Sequence, residues 1–159
     1  MRIWGLANAG SKLETWGDLI VGSLNYYAVL TAAVASFLFG GVWYNVLSKQ
    51  WLEAVGRPPE SIGKERGSVG LYLLTFVAQL IMAWMLAGVL LHLARGGLAP
   101  SLRTGVITGA FLWFGFVLTT MAVNYGFHAA KTMLTLIDGA HWLGVLVIQG
   151  AVLGVWGPS

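Results

Sequence analysis

Long apolar stretches alternate with short polar segments along this chain. Charged residues divide it into four uncharged windows, at residues 19–48, 67–94, 104–130 and 139–159. A helix of about 20 apolar residues crosses the hydrocarbon core of a bilayer, and each window is long enough for one crossing. We therefore predict four transmembrane helices, near residues 24–48, 68–92, 103–127 and 133–156.

The connections between these windows support an up-and-down arrangement. Residues 48–68 hold seven of the fifteen charged residues together with Pro58 and Pro59, so we predict an extramembrane loop there. The other two connections are short, which makes the helices they join antiparallel neighbours. The predicted fold class is an all-α membrane protein, a four-transmembrane-helix antiparallel bundle. Residues 24–159 form its single domain, and residues 1–23 are an amino-terminal extension expected at the membrane interface or against a partner.

Composition strengthens the membrane assignment and removes several functions. Hydrophobic residues make up 57% of the chain and charged residues 9%, against about 25% charged in soluble proteins. The net charge of +3 comes from scattered Lys and Arg, which argues against a nucleic-acid partner. Without cysteine the chain has no thiolate ligand or thiol nucleophile. We assign no cofactor or metal, take the lipid bilayer as the main partner, and expect a multi-pass protein of the bacterial cytoplasmic membrane.

The orientation in the membrane is not decided by the loop charges. An even number of spans places both termini on one side, and the positive-inside rule compares Lys and Arg between the two sides. Four lie on the side of the termini and five on the other. The first group is Arg2, Lys12, Arg95 and Arg103, and the second is Lys49, Arg57, Lys64, Arg66 and Lys131.

Small residues recur at a spacing of four in three of the predicted helices. Such residues let helix backbones approach closely in a membrane, where lipid is as apolar as leucine. They predict either packing within the bundle or a seam between copies of the chain, and both options stay open. The predicted packing residues are Ala28, Ala32, Ser36, Gly40, Gly105, Gly109, Gly150 and Gly154.

Candidate chemistry centres on Asp138, the only acidic residue inside a predicted helix. His141 follows it by one turn, and Gln149 continues the same face. Ionisable groups within a span are costly, so each is a functional candidate until a structural role is found. Polar residues at the same end of the first and third helices are expected to meet this pair. The predicted polar cluster is Tyr44, Asn45, Asn124, His128, Asp138 and His141.

Three interpretations of this cluster stay open. In the first it is structural, with Asp138 favoured by the helix dipole and paired with Lys131 or a backbone N–H. In the second it is a pathway for a proton or small solute. In the third His128, Asp138 and His141 bind a metal ion, although an Asp-x-x-His pattern is a weak signal.

Two stretches of the chain resemble a known family. Residues 25–56 contain Gly40, Trp43, Tyr44, Lys49, Trp51 and Gly56; residues 111–156 contain Gly115, Phe116, Thr119, Thr120, Asn124, Ile137, Asp138 and Trp142. In this pattern the chain resembles the small bacterial membrane proteins catalogued as domain of unknown function 1761. The family commonly has proline where this chain has Asn45 and Val46, and it usually starts near the first helix. The resemblance implies the fold and the membrane location, and it implies no activity.

Three functions are compatible with these observations. We expect a non-enzymatic membrane module that forms a homo-oligomer or serves as an accessory subunit of a larger membrane complex. The first alternative is a minimal transporter for a proton, ion or small solute, which would need an oligomer to enclose a path. The second alternative is a membrane-embedded enzyme that acts on lipid or quinone through Asp138 and His141.

Overall fold

A computed structural model of the protein describes residues 24–56 and 68–157, and within these ranges all regular structure is helical. Four helices are long and apolar enough to cross a membrane, and a short helix follows the first. The predicted all-helical fold with four membrane helices is confirmed, and the chain is a multi-pass membrane protein. The helices are α1 (Tyr26–Val46), α2 (Ser48–Val55), α3 (Val69–Arg95), α4 (Leu102–Phe127) and α5 (Thr132–Trp156).

Local capping explains where the membrane helices begin. The side chain of Asn25 accepts a hydrogen bond from the Ala28 N–H, and that of Ser101 accepts one from Thr104, which satisfies amide groups in the first turns of α1 and α4. At its other end α3 continues to Arg95, three residues beyond the predicted boundary, before Gly96 ends it. The remaining ends lie within two residues of the predicted ones.

The short helix α2 corrects the prediction that residues 48–68 form a loop. Its outer face carries exposed Lys49 and Glu53, whereas Trp51 is half-buried and Ala54 is buried. Charge on one face indicated contact with water, and an amphipathic helix at a membrane surface satisfies that requirement as well as a loop does. The helix ends at Gly56, whose positive φ of 68° is readily adopted by glycine. Residues 57–67, like the extension 1–23, lie outside the described residues.

Helix α5 is the centre of the bundle, since it holds more buried residues than any other described helix and contacts all the others. Its contact with α4 is made by glycines. A Cβ on Gly105 would collide with the carbonyl of Gly150, and one on Gly109 with the carbonyl of Leu146. The two backbones therefore touch directly, as in close helix pairs of other membrane proteins.

The small residues of α1 also face the bundle interior. Ala28, Ala32, Ser36 and Gly40 are all buried against the other helices. Gly105 and Gly109 of α4 and Gly150 and Gly154 of α5 are buried as well. All eight residues predicted to pack are therefore buried against other helices of the same chain.

Helix α4 changes its hydrogen-bonding pattern halfway along. Residues Trp113–Leu118 form a π-helical segment, a rare arrangement that occurs often at functional sites. The indole Nε1 of Trp113 donates a 2.8 Å hydrogen bond to the carbonyl of Gly139 in α5. Beyond this segment no residue of Thr119–Phe127 is buried, so the second half of α4 packs loosely on the bundle.

Candidate functional site

Asp138 joins four helices at one end of the bundle. Its side chain in α5 is only 6% exposed. Oδ1 accepts hydrogen bonds from the Tyr44 hydroxyl of α1 at 2.9 Å and from the Trp51 indole of α2 at 3.0 Å. Oδ2 accepts one from the Tyr125 hydroxyl of α4 at 2.8 Å. Hydrogen bonds to a carboxylate are stronger than neutral ones, so these contacts fix the end of the bundle around one acidic group.

The carboxylate lies below the membrane surface rather than at it. Asp138 is six residues from the start of α5, which corresponds to about 9 Å along the helix axis. Helix α2 lies on the same side of the membrane and reaches the carboxylate through Trp51. The site is therefore near one water-facing end of the bundle, beneath a short amphipathic helix.

His141 lies one turn deeper than Asp138, among aromatic rings. Its imidazole is nearly parallel to the ring of Phe39 at a centroid distance of 6.0 Å, and its centroid is 4.7 Å from that of Tyr44 and 5.0 Å from that of Trp142. The fourth neighbour is Gly40, where a Cβ would stand 2.8 Å from Nε2 of His141. The absence of a side chain at Gly40 is therefore what lets the imidazole reach α1.

Neither ring nitrogen of His141 has a hydrogen-bond partner within the described residues, although the side chain is only 3% exposed. Buried polar atoms in proteins are almost always hydrogen-bonded, and an unpaired one in a membrane interior costs several kcal/mol, by an order-of-magnitude estimate. The indole Nε1 of Trp43, next to Tyr44 in α1, also has no hydrogen-bond partner among the described residues. Among the described residues His141 is therefore held by ring contacts and not by hydrogen bonds.

A second group of polar side chains lies near the middle of the membrane. Ser36, at the midpoint of α1, donates to Oε1 of Gln79 in α3 at 2.7 Å. Nε2 of Gln149 in α5 donates to Ser36 Oγ and to the Gln79 carbonyl, both at 3.0 Å. All three side chains are at least 99% buried, and Oε1 of Gln149 has no partner among the described residues.

These groups form a line along the inner face of α5, which we name the polar column: Asp138, His141 and Gln149 with Ser36 and Gln79. From Asp138 to Gln149 it extends about 16 Å along the helix. Toward the opposite membrane surface the buried side chains are apolar in the described part of the bundle, among them Leu90 and Leu153. The polar column therefore begins near one surface and ends inside the protein.

The structure brings together three of the six residues of the predicted cluster, namely Tyr44, Asp138 and His141. Asn45, Asn124 and His128 are exposed, which corrects the expectation that all six meet. Asn45 lies on the outer side of α1. Asn124 belongs to the loosely packed half of α4 and His128 directly follows that helix, with its Nδ1 2.6 Å from the Asn124 carbonyl.

Two of the interpretations of the cluster change accordingly. Among the described residues no three His, Asp or Glu side chains are close enough to hold a metal ion together, so His128, Asp138 and His141 do not form such a set. Lys131 is also not the partner of Asp138, because its Nζ donates a 2.7 Å hydrogen bond to the Glu53 carbonyl in α2. The carboxylate relies instead on hydroxyl and indole donors.

Trp51 and Tyr125 are site residues that the sequence pattern does not identify. Trp51 is typical of the aromatic residues that anchor helices at the membrane interface, and that pattern conceals its contact with Asp138. Tyr125 is adjacent to Asn124, and its hydroxyl reaches Asp138 across the gap between α4 and α5, whereas Asn124 is exposed. The amphipathic sequence of α2 is the one signal that could have located Trp51 over the bundle.

Two cavities in the described part of the chain lie away from the polar column. A small one of about 20 Å³ is at the opposite end of the bundle, between Leu24, Leu91 and Leu153. A groove of about 370 Å³ follows the outer face of α3 past Trp84 and His92. Neither is lined by Asp138 or His141.

Comparison with known proteins identifies the family of the chain. The family model described as a protein of unknown function, DUF1761, matches residues 27–154. Comparisons with curated proteins and with solved structures find no match. The matched range includes the whole polar column and nearly all of the four membrane helices. The resemblance seen in the sequence is confirmed, and the chain belongs to the DUF1761 family of proteins of unknown function.

Proposed function

We propose that this protein is a small membrane carrier that takes up a proton on Asp138 and His141, alone or together with a small solute. The observation that carries the proposal is a buried imidazole whose two nitrogens have no hydrogen-bond partner among the described residues, one helical turn from a buried carboxylate. Ionisable groups within membrane spans typically belong to ion or proton pathways. A neutral imidazole can accept a proton on its unprotonated ring nitrogen.

The extent of the polar column favours a carrier over an open channel. Its polar side chains cover about half of the membrane thickness, and the rest of the bundle interior is apolar in the described residues. A bound proton therefore needs a conformational change to reach the other side. The hydrogen bonds of Asp138 couple its charge to α1, α2 and α4, because a neutral carboxyl group accepts weaker hydrogen bonds than a carboxylate.

The other two functions have less support from the geometry. An oligomerising module or accessory subunit was expected from the small-residue stripes, the short loops and the amino-terminal extension. The stripes are buried within one chain, and the extension lies outside the described residues. An enzyme acting on lipid or quinone needs a cavity lined by Asp138 and His141, and the two cavities described above involve neither residue. Both functions remain predictions that co-purification and substrate assays would test.

The carrier proposal is tested by proton flux into liposomes that contain the purified protein and an enclosed pH-sensitive dye. Asp138→Asn is suitable because an amide oxygen can still accept from Tyr44 and Trp51, and its NH₂ can donate to the Tyr125 hydroxyl. The variant therefore keeps the fold and loses the titratable group. We expect Asp138→Asn and His141→Gln each to lower the flux at least tenfold.

Exposed residues of the same types provide matched controls. His128→Gln changes an exposed histidine near the same membrane surface, and Glu53→Gln changes an exposed acid on α2. Both are expected to retain wild-type flux. Flux no higher than in protein-free liposomes, or equal flux in Asp138→Asn and His128→Gln, would contradict the proposal.

A further inference from the structure

The positive charges at the two ends of the bundle are almost balanced. Among the described residues, Arg95 and Arg103 lie at one end, and Lys49 and Lys131 lie at the other; all four are exposed. Over the whole sequence the balance is four against five. The side of a membrane protein with more Lys and Arg usually stays in the cytoplasm, so a difference this small gives little preference for either orientation.

The polar column has the opposite property, since it is strongly asymmetric. It begins just below the membrane surface, beneath α2, and ends near the centre of the bundle at Ser36, Gln79 and Gln149. A population of chains in one orientation would present every column to the same side. Chains in both orientations would present columns to both sides of the membrane.

We propose that the chain inserts in both orientations, and that two oppositely oriented copies pair about a twofold axis in the membrane plane. Each membrane surface then faces the start of one polar column. The use of this arrangement for transport rests on the proposed carrier function, whereas the dual insertion and pairing do not. The partner is a second copy of this chain because the charge balance supplies both orientations from one sequence.

Of the four described membrane helices α4 is the least buried, so it offers the most free surface to a second copy. Gly105 and Gly109 are its buried residues among those described, and the side turned away from α5 exposes Ile107, Phe111 and Val123. Gly115 is near the middle of this helix, with Ile107 and Val123 equally far from it in opposite directions. In an antiparallel pair that crosses near Gly115, Ile107 of each copy approaches Val123 of the other.

The absence of cysteine from the sequence makes the orientation measurable in intact cells. Gln50→Cys and Ala99→Cys place single exposed thiols at opposite ends of the bundle. With a membrane-impermeant maleimide, we expect each variant to be labelled to roughly half of its reactivity in permeabilised cells. Complete labelling of one variant and none of the other shows a single orientation and overturns the proposal.

Cross-linking tests the pairing itself. Two differently tagged copies, one with Ile107→Cys and one with Val123→Cys, are expressed together and treated with a short bifunctional maleimide in the membrane. The antiparallel pair predicts a product that carries both tags and little product from either variant alone. Products formed equally well by each variant alone indicate parallel packing, and no product in any combination excludes this face; either result overturns the pairing.

Charge variants provide the control for orientation. Lys49→Gln with Leu98→Lys and Ala99→Arg changes the balance to six against four, and Arg103→Gln with Gln50→Lys changes it to three against six. We expect the cross-link between Ile107→Cys and Val123→Cys to disappear when both tagged copies carry the same set of charge substitutions. It returns when the two copies carry opposite sets. If the unmodified protein is labelled from both sides but gives no proton flux, the carrier function alone is contradicted. If it has a single orientation and normal flux, this inference alone is contradicted.

Discussion

The indole nitrogen of Trp51 donates a 3.0 Å hydrogen bond to Oδ1 of Asp138, 87 residues further along the chain. This bond attaches a surface helix to a carboxylate below the membrane surface. It explains why α2 lies against the end of α5 although its charged face is typical of a loop exposed to water. The start of the polar column is therefore covered by an element whose position depends on Asp138.

Replacing Trp51 by Phe tests this attachment. We expect Trp51→Phe to lower the free energy of unfolding by about 1–3 kcal/mol, because a buried carboxylate loses one of its three donors. Thermal unfolding in detergent measures the change. Trp156→Phe, at an indole that is 51% exposed, is the control. Equal stability of the two variants would show that the Trp51 bond contributes nothing.

The glycine contact between α4 and α5 predicts opposite effects for two alanine substitutions. In Gly109→Ala the new methyl group meets the Leu146 carbonyl, and we expect a loss of about 1–3 kcal/mol from overpacking. In Gly41→Ala the methyl group has nothing within 4 Å, and the better helix propensity of alanine predicts a gain of up to about 1 kcal/mol. Thermal midpoints that move in the same direction would contradict the packing argument.

The mid-membrane hydrogen bonds predict non-additive effects of substitution. Ser36→Ala removes the donor of Gln79 Oε1 and an acceptor of Gln149 Nε2, at an expected cost of about 1–3 kcal/mol. Gln149→Leu removes the Gln149 amide, one of the groups that lose a hydrogen-bond partner in Ser36→Ala. The double variant is therefore expected to be more stable than the sum of the single effects predicts, as measured by a double-mutant cycle. Simple additivity would show that these side chains act independently.

Lys131 links the α4–α5 connection to α2. Lys131→Met removes the donor to the Glu53 carbonyl, and we expect amide hydrogen exchange in α2 to rise about two- to fivefold, as for the loss of 0.5–1 kcal/mol. Lys49→Met, at an exposed position of α2 itself, is the comparison. Unchanged exchange in Lys131→Met would show that Trp51 alone positions the short helix.

Hydropathy was sufficient to predict the membrane helices because each is a long uncharged segment, and burial of Ala28 to Gly40 followed from residue size. It was insufficient for α2, since charge and the nearby Pro58 indicate a surface location without indicating conformation. For residues 57–67 the loop stays a prediction, because they lie outside the described part of the chain.

The site was only partly predictable, for a geometrical reason. The pairing of Asp138 with His141 follows from spacing on one helix, and the approach of Tyr44 follows from its location at the end of α1. The choice of Tyr125 over Asn124 depends on how far α4 stands from α5 and on its rotation about its own axis. Neither quantity can be obtained from periodicity, because the helix changes its winding at Trp113–Leu118.

That π-helical segment makes the position of a length change in α4 matter to the site. A π turn takes in one more residue than an α turn, so removing a single residue between Trp113 and Leu118 would restore regular winding and leave the following turns facing as they do now. Removing a residue from the regular turns between Thr119 and Asn124 would instead rotate Tyr125 by about 100° relative to Gly105 and Gly109. Tyr125 would then turn away from Asp138 while the glycine contact stayed in place. A one-residue deletion would therefore spare the acidic site on one side of Leu118 and disrupt it on the other.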